Sequence, residues 1–431
     1  MARALKIICG LLLTSMFFFP FCFTFLPAVN TKMVLAVLGL FLCIYNLGKS
    51  HSSIIDKDII ILSIFALGVS IASLLSMTLN NTPDGTFLKY IVSMFVWLGA
   101  AYFVVKYIQA VHSGISVKLV CFYLAGVCVL QCIFAIVIDS VPSVKTFVDS
   151  FLAGDGYMGK NEGRLYGLGC ALDVAGTRFA AILIIISCVF AEMGNAIHWK
   201  AETIFLLASF VVISFIGNMI GRTTSVGMAI ALLVMGVSVF SPKVIEDDER
   251  RKNIQKIVLY VVLIVVVTVT LLYNYSPSWK NNIQFGFEGF YNLIENGKWE
   301  VHSNNMLKGT FILPDNMHTW LVGDGYMDTT DNDPYYTGIN WHGFYKMTDV
   351  GYSRYLFYFG ILGLLAISGV MVESIAICIK YLKNYRVMLL LLLLLNFVIW
   401  FKVSTDIFPV FAVLICTAKQ VSETQNNKIS V

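Results

Sequence analysis

Long apolar segments separated by short polar ones run through almost the whole chain. Twelve of them have the composition of membrane-spanning helices: 7–27, 33–48, 59–79, 88–105, 119–138, 177–193, 203–219, 223–240, 257–273, 351–379, 387–401 and 406–418. A helix needs about 20 apolar residues to cross a bilayer core, so the second and last segments are short for a span. The pattern predicts an all-α polytopic membrane protein with about 12 transmembrane helices, in which residues 1–431 form a single integral membrane domain.

Two longer polar stretches interrupt the apolar pattern, residues 139–176 and residues 274–349. The second stretch contains four of the seven tryptophans and three of the six histidines. Disordered segments are poor in aromatic residues. We therefore expect residues 274–349 to fold, as short helices that cap one end of the membrane domain.

Composition supports the membrane class and excludes others. The chain is 58% apolar and 13% charged, with a mean hydropathy of +0.78, whereas soluble domains have about 25% charged residues. The net charge of +4 comes from short tracts between apolar segments and does not indicate nucleic-acid binding. Nine of the ten cysteines lie within or beside apolar segments, so no disulfide framework is expected. The first apolar segment is too long for a signal peptide and is interpreted as a retained helix.

The distribution of lysine and arginine predicts the orientation. With the N-terminus in the cytoplasm, 17 of the 30 basic residues fall in inside segments, including Arg250 in a tract expected to be a solvated loop. Both termini are then cytoplasmic, and 139–176 and 274–349 become the first and the large outer loops. Four of the eight arginines fall on the outer side, against this rule: Arg164, Arg178, Arg222 and Arg354. Each could snorkel to lipid phosphates, but four on one face favour an anionic ligand.

Two glycine-containing segments surround these arginines. Residues 163–180 carry Arg164 and Arg178 on either side of a short apolar piece, which could bind a diphosphate or form a structural re-entrant loop. Residues 217–227 form a tight outer turn in which hydroxyl and amide donors surround Arg222 at a helix N-terminus. Unpaired N–H groups at such a terminus favour anions, so this turn is the best local anion site.

Two further patterns have weaker chemical meaning. Gly-Asp-Gly-Tyr-Met occurs at 154–158 and again at 323–327, once in each large outer loop. Because Gly-Asp-Gly commonly forms turns, the recurrence is interpreted as a coincidence. Asp331 and Asp333 have the Asp-x-Asp spacing of a metal site, but Pro334 follows and favours a turn. We expect no metal and no cofactor.

Three motifs together resemble the superfamily of O-antigen polymerases (Wzy) and O-antigen ligases. They are Gly-Arg-Thr-Thr at 221–224 after a span, Asp-Val-Gly-Tyr at 349–352 after a long outer loop, and Phe-Gly-Ile-Leu-Gly-Leu-Leu at 359–365 in the next span. The resemblance implies a GT-C-like glycosyltransferase architecture. It also implies undecaprenyl-diphosphate-linked glycans as donor and acceptor, at the outer face of a bacterial inner membrane. Ligases of this superfamily carry His-Asn-x-Tyr where this chain has Asp349 to Tyr352, which favours a polymerase making O-antigen or capsule.

The expected reaction is attack of a sugar hydroxyl on the anomeric carbon of a diphosphate-linked glycan. Asp349, Arg222 and Arg354 are the candidate catalytic residues, with Asp349 as base or orienting group and the arginines meeting the charge of the leaving diphosphate. The candidate substrate-binding residues are Arg164, Arg178, Tyr352, His342, His318 and Lys402. The lipid bilayer and a chain-length regulator complete the expected partners. A ligase that moves finished glycan to another acceptor is one alternative. A flippase or exporter of lipid-linked glycan is another, which the scarcity of ionisable residues within the spans disfavours.

Overall fold

The computed structural model describes residues 2–49, 57–153, 164–192, 199–242, 244–245, 247–328 and 343–429. Over these ranges the chain is mostly helical. The helices that coincide with the predicted spans are α1 (Ala2–Phe18), α2 (Thr31–Lys49), α3 (Lys57–Asn80), α4 (Tyr90–His112), α5 (Val117–Ser140), α7 (Leu172–Glu192), α8 (Trp199–Ile220), α9 (Thr224–Phe240), α10 (Asp248–Tyr275), α15 (Gly351–Tyr381), α16 (Arg386–Ile399) and α17 (Phe408–Ile429). Short helices occupy the two long polar stretches: α6 (Pro142–Phe151), α11 (Pro277–Gly286), α12 (Glu288–Asn296), α13 (His302–Thr310) and α14 (Met317–Val322).

Seven of the described helices are long and apolar enough to cross a membrane, namely α3, α4, α5, α7, α8, α10 and α15. This is the architecture of a polytopic helical membrane protein, as the sequence predicts. The other five predicted spans also form helices. Their described apolar parts are shorter, so a total of 12 crossings stays a prediction.

Two predicted boundaries are wrong. The first span was expected to reach residue 27, but α1 ends at Phe18 because Pro20 disfavours helix in the residue before it. The following residues form strands β1 (Cys22–Phe23) and β2 (Leu26–Asn30), which pair antiparallel, and β1 also pairs with β3 (Leu152–Ala153) to give the order β2-β1-β3. The charged tract expected as a loop is largely the start of α10, where the Asp247 side chain caps the helix by accepting from the Arg250 amide at 3.1 Å.

The core surrounds α7, whose described residues from Ala175 to Ile186 are continuously buried. This helix packs against α5, α8, α9 and α16. In contrast, Ile254 is the only buried residue recorded for α10, which lies at the periphery of the bundle. The first turn of α7, which carries Asp173, therefore lies at the centre of one end of the bundle.

The end of the bundle at which the chain leaves α10 and enters α15 is named the large-loop face. Here α11 packs against α8, while α14 packs against α15 and α3. The expectation that residues 274–349 fold into short helices is confirmed for the residues that the structure describes. The turn between α8 and α9 and the starts of α7 and α15 meet these helices at the same face.

Helix α15 is broken eight residues after its start. Phe359 and Gly360 leave the helical conformation, and Gly360 has a φ of +64°. The amides of Asp324 and Gly325 donate to the carbonyls of Phe357 and Tyr358, and the Ser76 hydroxyl also donates to Tyr358 O at 2.7 Å. Backbone groups freed by a break within a span need such partners. The segment 323–327, interpreted from sequence as a turn, is thus the piece that docks on this break.

Candidate functional site

Arg222 and Arg164 lie against the same aromatic ring. The guanidinium carbon of Arg222 is 4.7 Å from the centroid of the Phe285 ring, and that of Arg164 is 5.0 Å from it. Phe285 projects from α11, so the large loop supplies the surface on which the two cations meet. A ring face attracts cations, which offsets part of their mutual repulsion. The two guanidinium groups are close enough for the positive charge of Arg164 to lower the pKa of Arg222, and guanidinium groups bind phosphate-like anions strongly.

The two arginines differ in their ion pairs. Arg222 is paired with Glu288 in the first turn of α12, and burial lowers the pKa of Arg222 while Glu288 opposes this shift. Arg164 has no carboxylate partner among the described residues. An anionic ligand could therefore bind Arg164 directly and exchange with Glu288 at Arg222.

The turn that carries Arg222 is fixed by close backbone packing. A Cβ on Gly221 would overlap the carbonyl oxygen of Leu172, so the turn can approach the start of α7 this closely only with glycine at position 221. The expectation that hydroxyl and amide donors remain available beside Arg222 is wrong for Asn218 and for all three hydroxyl residues, and the Thr223 hydroxyl donates to Asp173. Thr224 donates to Gly217 O at 3.0 Å, Ser225 to Arg222 O at 2.7 Å, and the buried Asn218 amide to Ser214 O at 2.7 Å.

Lys402, Asp173 and Thr223 form a second polar group beside this turn. The Lys402 ammonium lies 3.5 Å from Asp173 Oδ1 and donates to Thr223 Oγ1 at 3.0 Å. The Thr223 hydroxyl donates in turn to Asp173. This group ties the α16–α17 connection to the first turn of α7 and to the turn after α8.

Asp349 lies next to this group, two residues before α15. Burial is the largest effect on its carboxyl and raises the pKa, and the nearby Asp173 carboxylate raises it further. The backbone amide of Asp349 opposes this shift, and the positive charges of Lys402 and Arg354 also lower the pKa. No described side chain lies within hydrogen-bonding distance of the half-buried carboxylate. Helix α15 is capped by Val350 without a side-chain bond, so Asp349 does not serve as the helix cap. A carboxyl with a raised pKa is a stronger proton acceptor than an ordinary aspartate, which suits a general base.

Arg354 is held by the loop that follows α14. Its Nη2 donates to Met327 O at 3.1 Å and lies 3.0 Å from Asp328 Oδ1, its Nη1 donates to Ser404 Oγ at 2.9 Å, and its guanidinium carbon lies 3.9 Å from the Phe344 ring centroid. The side chain is 9% exposed. Arg354 influences Asp349 electrostatically but does not share the Phe285 ring with Arg222 and Arg164.

Arg178 is buried inside the bundle. It is 6% exposed, donates to the carbonyl of Phe18, and has the rings of Phe18, Phe19 and Trp97 within 6 Å of its guanidinium carbon. These contacts fix the end of α1 against α7. Because of this burial, the four outer arginines do not form one cluster as expected: Arg222 and Arg164 are together, Arg354 is close to Asp349, and Arg178 is occupied by the fold.

The remaining predicted residues lie apart from this group. The Tyr352 hydroxyl donates to Phe397 O at 3.0 Å and its ring packs on Phe401, so the side chain faces α16. Since α15 begins after Asp349, these two residues do not share the helical face expected from their spacing. His318 bonds to Asn80 Oδ1 at 2.9 Å, at the end of α3. His342, Asp331 and Asp333 lie outside the described residues.

Sequence reasoning missed Asp173, Phe285 and Glu288. Asp173 had a usable signal, because a carboxylate in the first turn of an apolar span is costly unless it has a cationic partner. Phe285 and Glu288 had none, since nothing local distinguishes them from the other aromatic and acidic residues of the large loop. Within the described ranges, no group of three or more potential metal ligands is present.

Comparison with known proteins adds no assignment. No model of a known protein family matches the chain, and no curated protein matches it. The chemistry of the site rests on the residues themselves. They provide two adjacent guanidinium groups, a carboxyl with a raised pKa, and a lysine–aspartate pair beside it, all at the end of an apolar helical bundle.

Proposed function

We propose that this protein is a polymerase that joins undecaprenyl-diphosphate-linked oligosaccharide repeat units into surface polysaccharide. The observation that carries the proposal is the pair formed by Arg164 and Arg222 on Phe285, at the end of the membrane bundle. Asp173 connects this pair to Asp349, because its carboxylate acts on both Arg222 and Asp349. The motif resemblance at 221–224, 349–352 and 359–365 supports the same reaction. In this proposal the large-loop face is the outer face of the inner membrane, both termini are cytoplasmic, and the architecture is GT-C-like.

The arginine pair would bind the diphosphate of the donor. Guanidinium groups match phosphate oxygens with two parallel hydrogen bonds, and fixed cations stabilise the charge that develops on a leaving diphosphate. Glu288 holds Arg222 in position before the donor arrives. The lipid tail of the donor would lie along the apolar helices, which keeps the diphosphate at the membrane boundary.

Asp349 would act on the acceptor sugar. The acceptor hydroxyl oxygen forms a bond to the donor anomeric carbon, the bond from that carbon to the diphosphate oxygen breaks, and the hydroxyl proton passes to Asp349 and then to water. The lipid diphosphate leaves with the electron pair of the broken bond. These steps balance in atoms and charge without a metal, a nucleotide or a redox partner.

The experiment is complementation of a strain from which the gene has been deleted. Wild-type protein should restore long surface polymer, whereas Arg222→Ala at normal expression should leave single repeat units on the lipid acceptor. Arg222→Lys keeps the positive charge but cannot form the two parallel hydrogen bonds of a guanidinium group, so it should also impair elongation. Arg386→Ala, an exposed arginine at the opposite end of the bundle, is the matched control. Long polymer with Arg222→Ala would refute the proposal. If cells without active protein carried not even single repeat units on any acceptor, a ligase or a flippase would be favoured instead.

A further inference from the structure

A small cavity lies on the large-loop face beside the arginine pair. It measures about 230 Å³ and is lined by the end of α5, the chain at Leu165, and the start of α11. Pockets for drug-sized ligands measure roughly 300 to 1,000 Å³. The cavity is therefore of a size for one ring rather than for a nucleotide or a lipid tail.

The cavity wall is mostly polar, and its polar groups are not used by the fold. None of the following six side chains makes a hydrogen bond to the described part of the protein: Asp139, Ser140, Ser276, Ser278, Trp279 and Asn282. Asn282 and Trp279 are nevertheless half-buried. Polar groups without a protein partner are free to bond to water or to a ligand, so this wall offers several hydrogen-bonding groups to a ligand with several hydroxyls.

The cavity and the arginine pair are adjacent through one helix. Asn282 lines the cavity, and the ring of Phe285 contacts Arg164 and Arg222. Asn282 and Phe285 are three positions apart on α11. Positions three apart lie on the same side of a helix, about 4.5 Å apart along its axis. Leu165 lines the cavity directly after Arg164 in the chain.

We propose that this cavity is a carbohydrate subsite that binds a single neutral pyranose ring, the one nearest the diphosphate. The proposal rests on the proposed function, because it assigns part of the glycan to this site. Trp279 offers an aromatic surface for the C–H face of the ring, and Asn282 and the serines offer hydrogen bonds to its hydroxyls. Asp139 is the one ionisable residue among those that line the cavity. Its carboxylate would repel an acidic sugar, so a hexose or N-acetylhexosamine fits and a hexuronate does not.

The test is direct binding of free sugars to the purified full chain, in a detergent without a sugar headgroup. Saturation-transfer NMR with N-acetylglucosamine, glucose and glucuronate as probes should show binding of at least one neutral sugar and not of glucuronate. Asn282→Ala should weaken the neutral sugar about fivefold to tenfold through the lost hydrogen bond. Asn281→Ala, an exposed neighbour that does not line the cavity, is the matched control and should bind like wild type. Asp139→Asn should admit glucuronate.

The outcomes separate the subsite from the polymerase proposal. No binding of either neutral sugar by wild type, or equal binding by Asn282→Ala at wild-type thermal stability, would overturn the subsite. In that case the dependence of polymer on Arg222 would still decide the proposed function. Binding that requires Asn282 would support the subsite as a carbohydrate site even if Arg222→Ala left polymer intact. Because Trp279 also packs on the bundle, Trp279→Phe is used to keep the ring and should retain most of the affinity.

Discussion

The ammonium of Lys402 lies 3.5 Å from the carboxylate of Asp173, and both charges act on Asp349. Asp173 lies in the first turn of α7, the most buried of the seven long apolar helices, while Lys402 lies in the connection between α16 and α17. Burial is the main cause of the raised pKa of Asp349. Because Asp173 raises this pKa further and Lys402 lowers it, the pair adjusts the pH range in which Asp349 can accept a proton.

The pH dependence of polymerisation should follow this pair. Asp349 works as a base only when ionised, so the rate falls as pH decreases through its raised pKa. Asp173→Asn removes a neighbouring negative charge, which lowers the pKa of Asp349 and moves the acid limb to lower pH. Lys402→Met removes a positive charge, which raises that pKa and moves the acid limb to higher pH. Rates measured with purified protein across the acid range check both directions.

Lys383→Met serves as the control, since this exposed lysine lies at the opposite end of the bundle. It should leave the acid limb where the wild type has it. Shifts of the same sign in Asp173→Asn and Lys402→Met would contradict the role of Asp349 as the titrating base.

Substitution of Asp349 separates a base from a structural residue. Asp349→Asn keeps the size of the side chain but cannot accept a proton, and loss of a general base typically lowers a rate by about 10² to 10⁴. We expect normal protein level and single repeat units without elongation. Asp349→Ser should behave in the same way. Wild-type chain lengths from either variant would exclude a catalytic role for this carboxylate.

The break in α15 should be required for stability. Gly360 has a positive φ, and a Cβ there would overlap the backbone of Leu321. We expect Gly360→Ala to lower the free energy of unfolding by about 1 to 3 kcal/mol, visible as a lower Tm in detergent. Gly236→Ala is the matched control, because nothing lies near a Cβ at that position in α9. It should be neutral or slightly stabilising, and equal Tm values for the two variants would contradict the argument.

Orientation can be tested by labelling introduced cysteines. Met317→Cys, in an exposed position of α14, should react with a membrane-impermeant reagent on intact spheroplasts. Glu249→Cys, in the first turn of α10, should react only after the membrane is opened. Background labelling is limited because six of the ten native cysteines are buried and four are half-buried. Labelling in the reverse pattern would place the whole site on the cytoplasmic side.

The positions of the helices could be predicted from sequence because apolar length determines them directly. All twelve predicted segments contain a helix, and the errors fall at ends where local chemistry overrides hydropathy, as at Pro20 and Asp247. The break at Gly360 could not be predicted. It depends on amides of Asp324 and Gly325, which reach it from a distant part of the chain.

The candidate site was predicted only in part, for the same reason. The turn at Arg222 and the position of Asp349 follow from local motifs. The partners that define their chemistry, Phe285, Glu288 and Asp173, come from other helices. Arg178 has the same sequence signal as Arg222, and only its contacts with Phe18, Phe19 and Trp97 show that it is occupied inside the bundle.

The most direct test of the account is polymerisation by the purified protein in liposomes that contain its undecaprenyl-diphosphate-linked repeat unit. Wild-type protein should produce long glycan and release one lipid diphosphate for each bond formed, without added nucleotide or metal. Arg222→Ala should release none above background, while Arg386→Ala should match wild type. Wild-type protein that forms no glycan bond, or Arg222→Ala that elongates at the wild-type rate, would contradict the central claim.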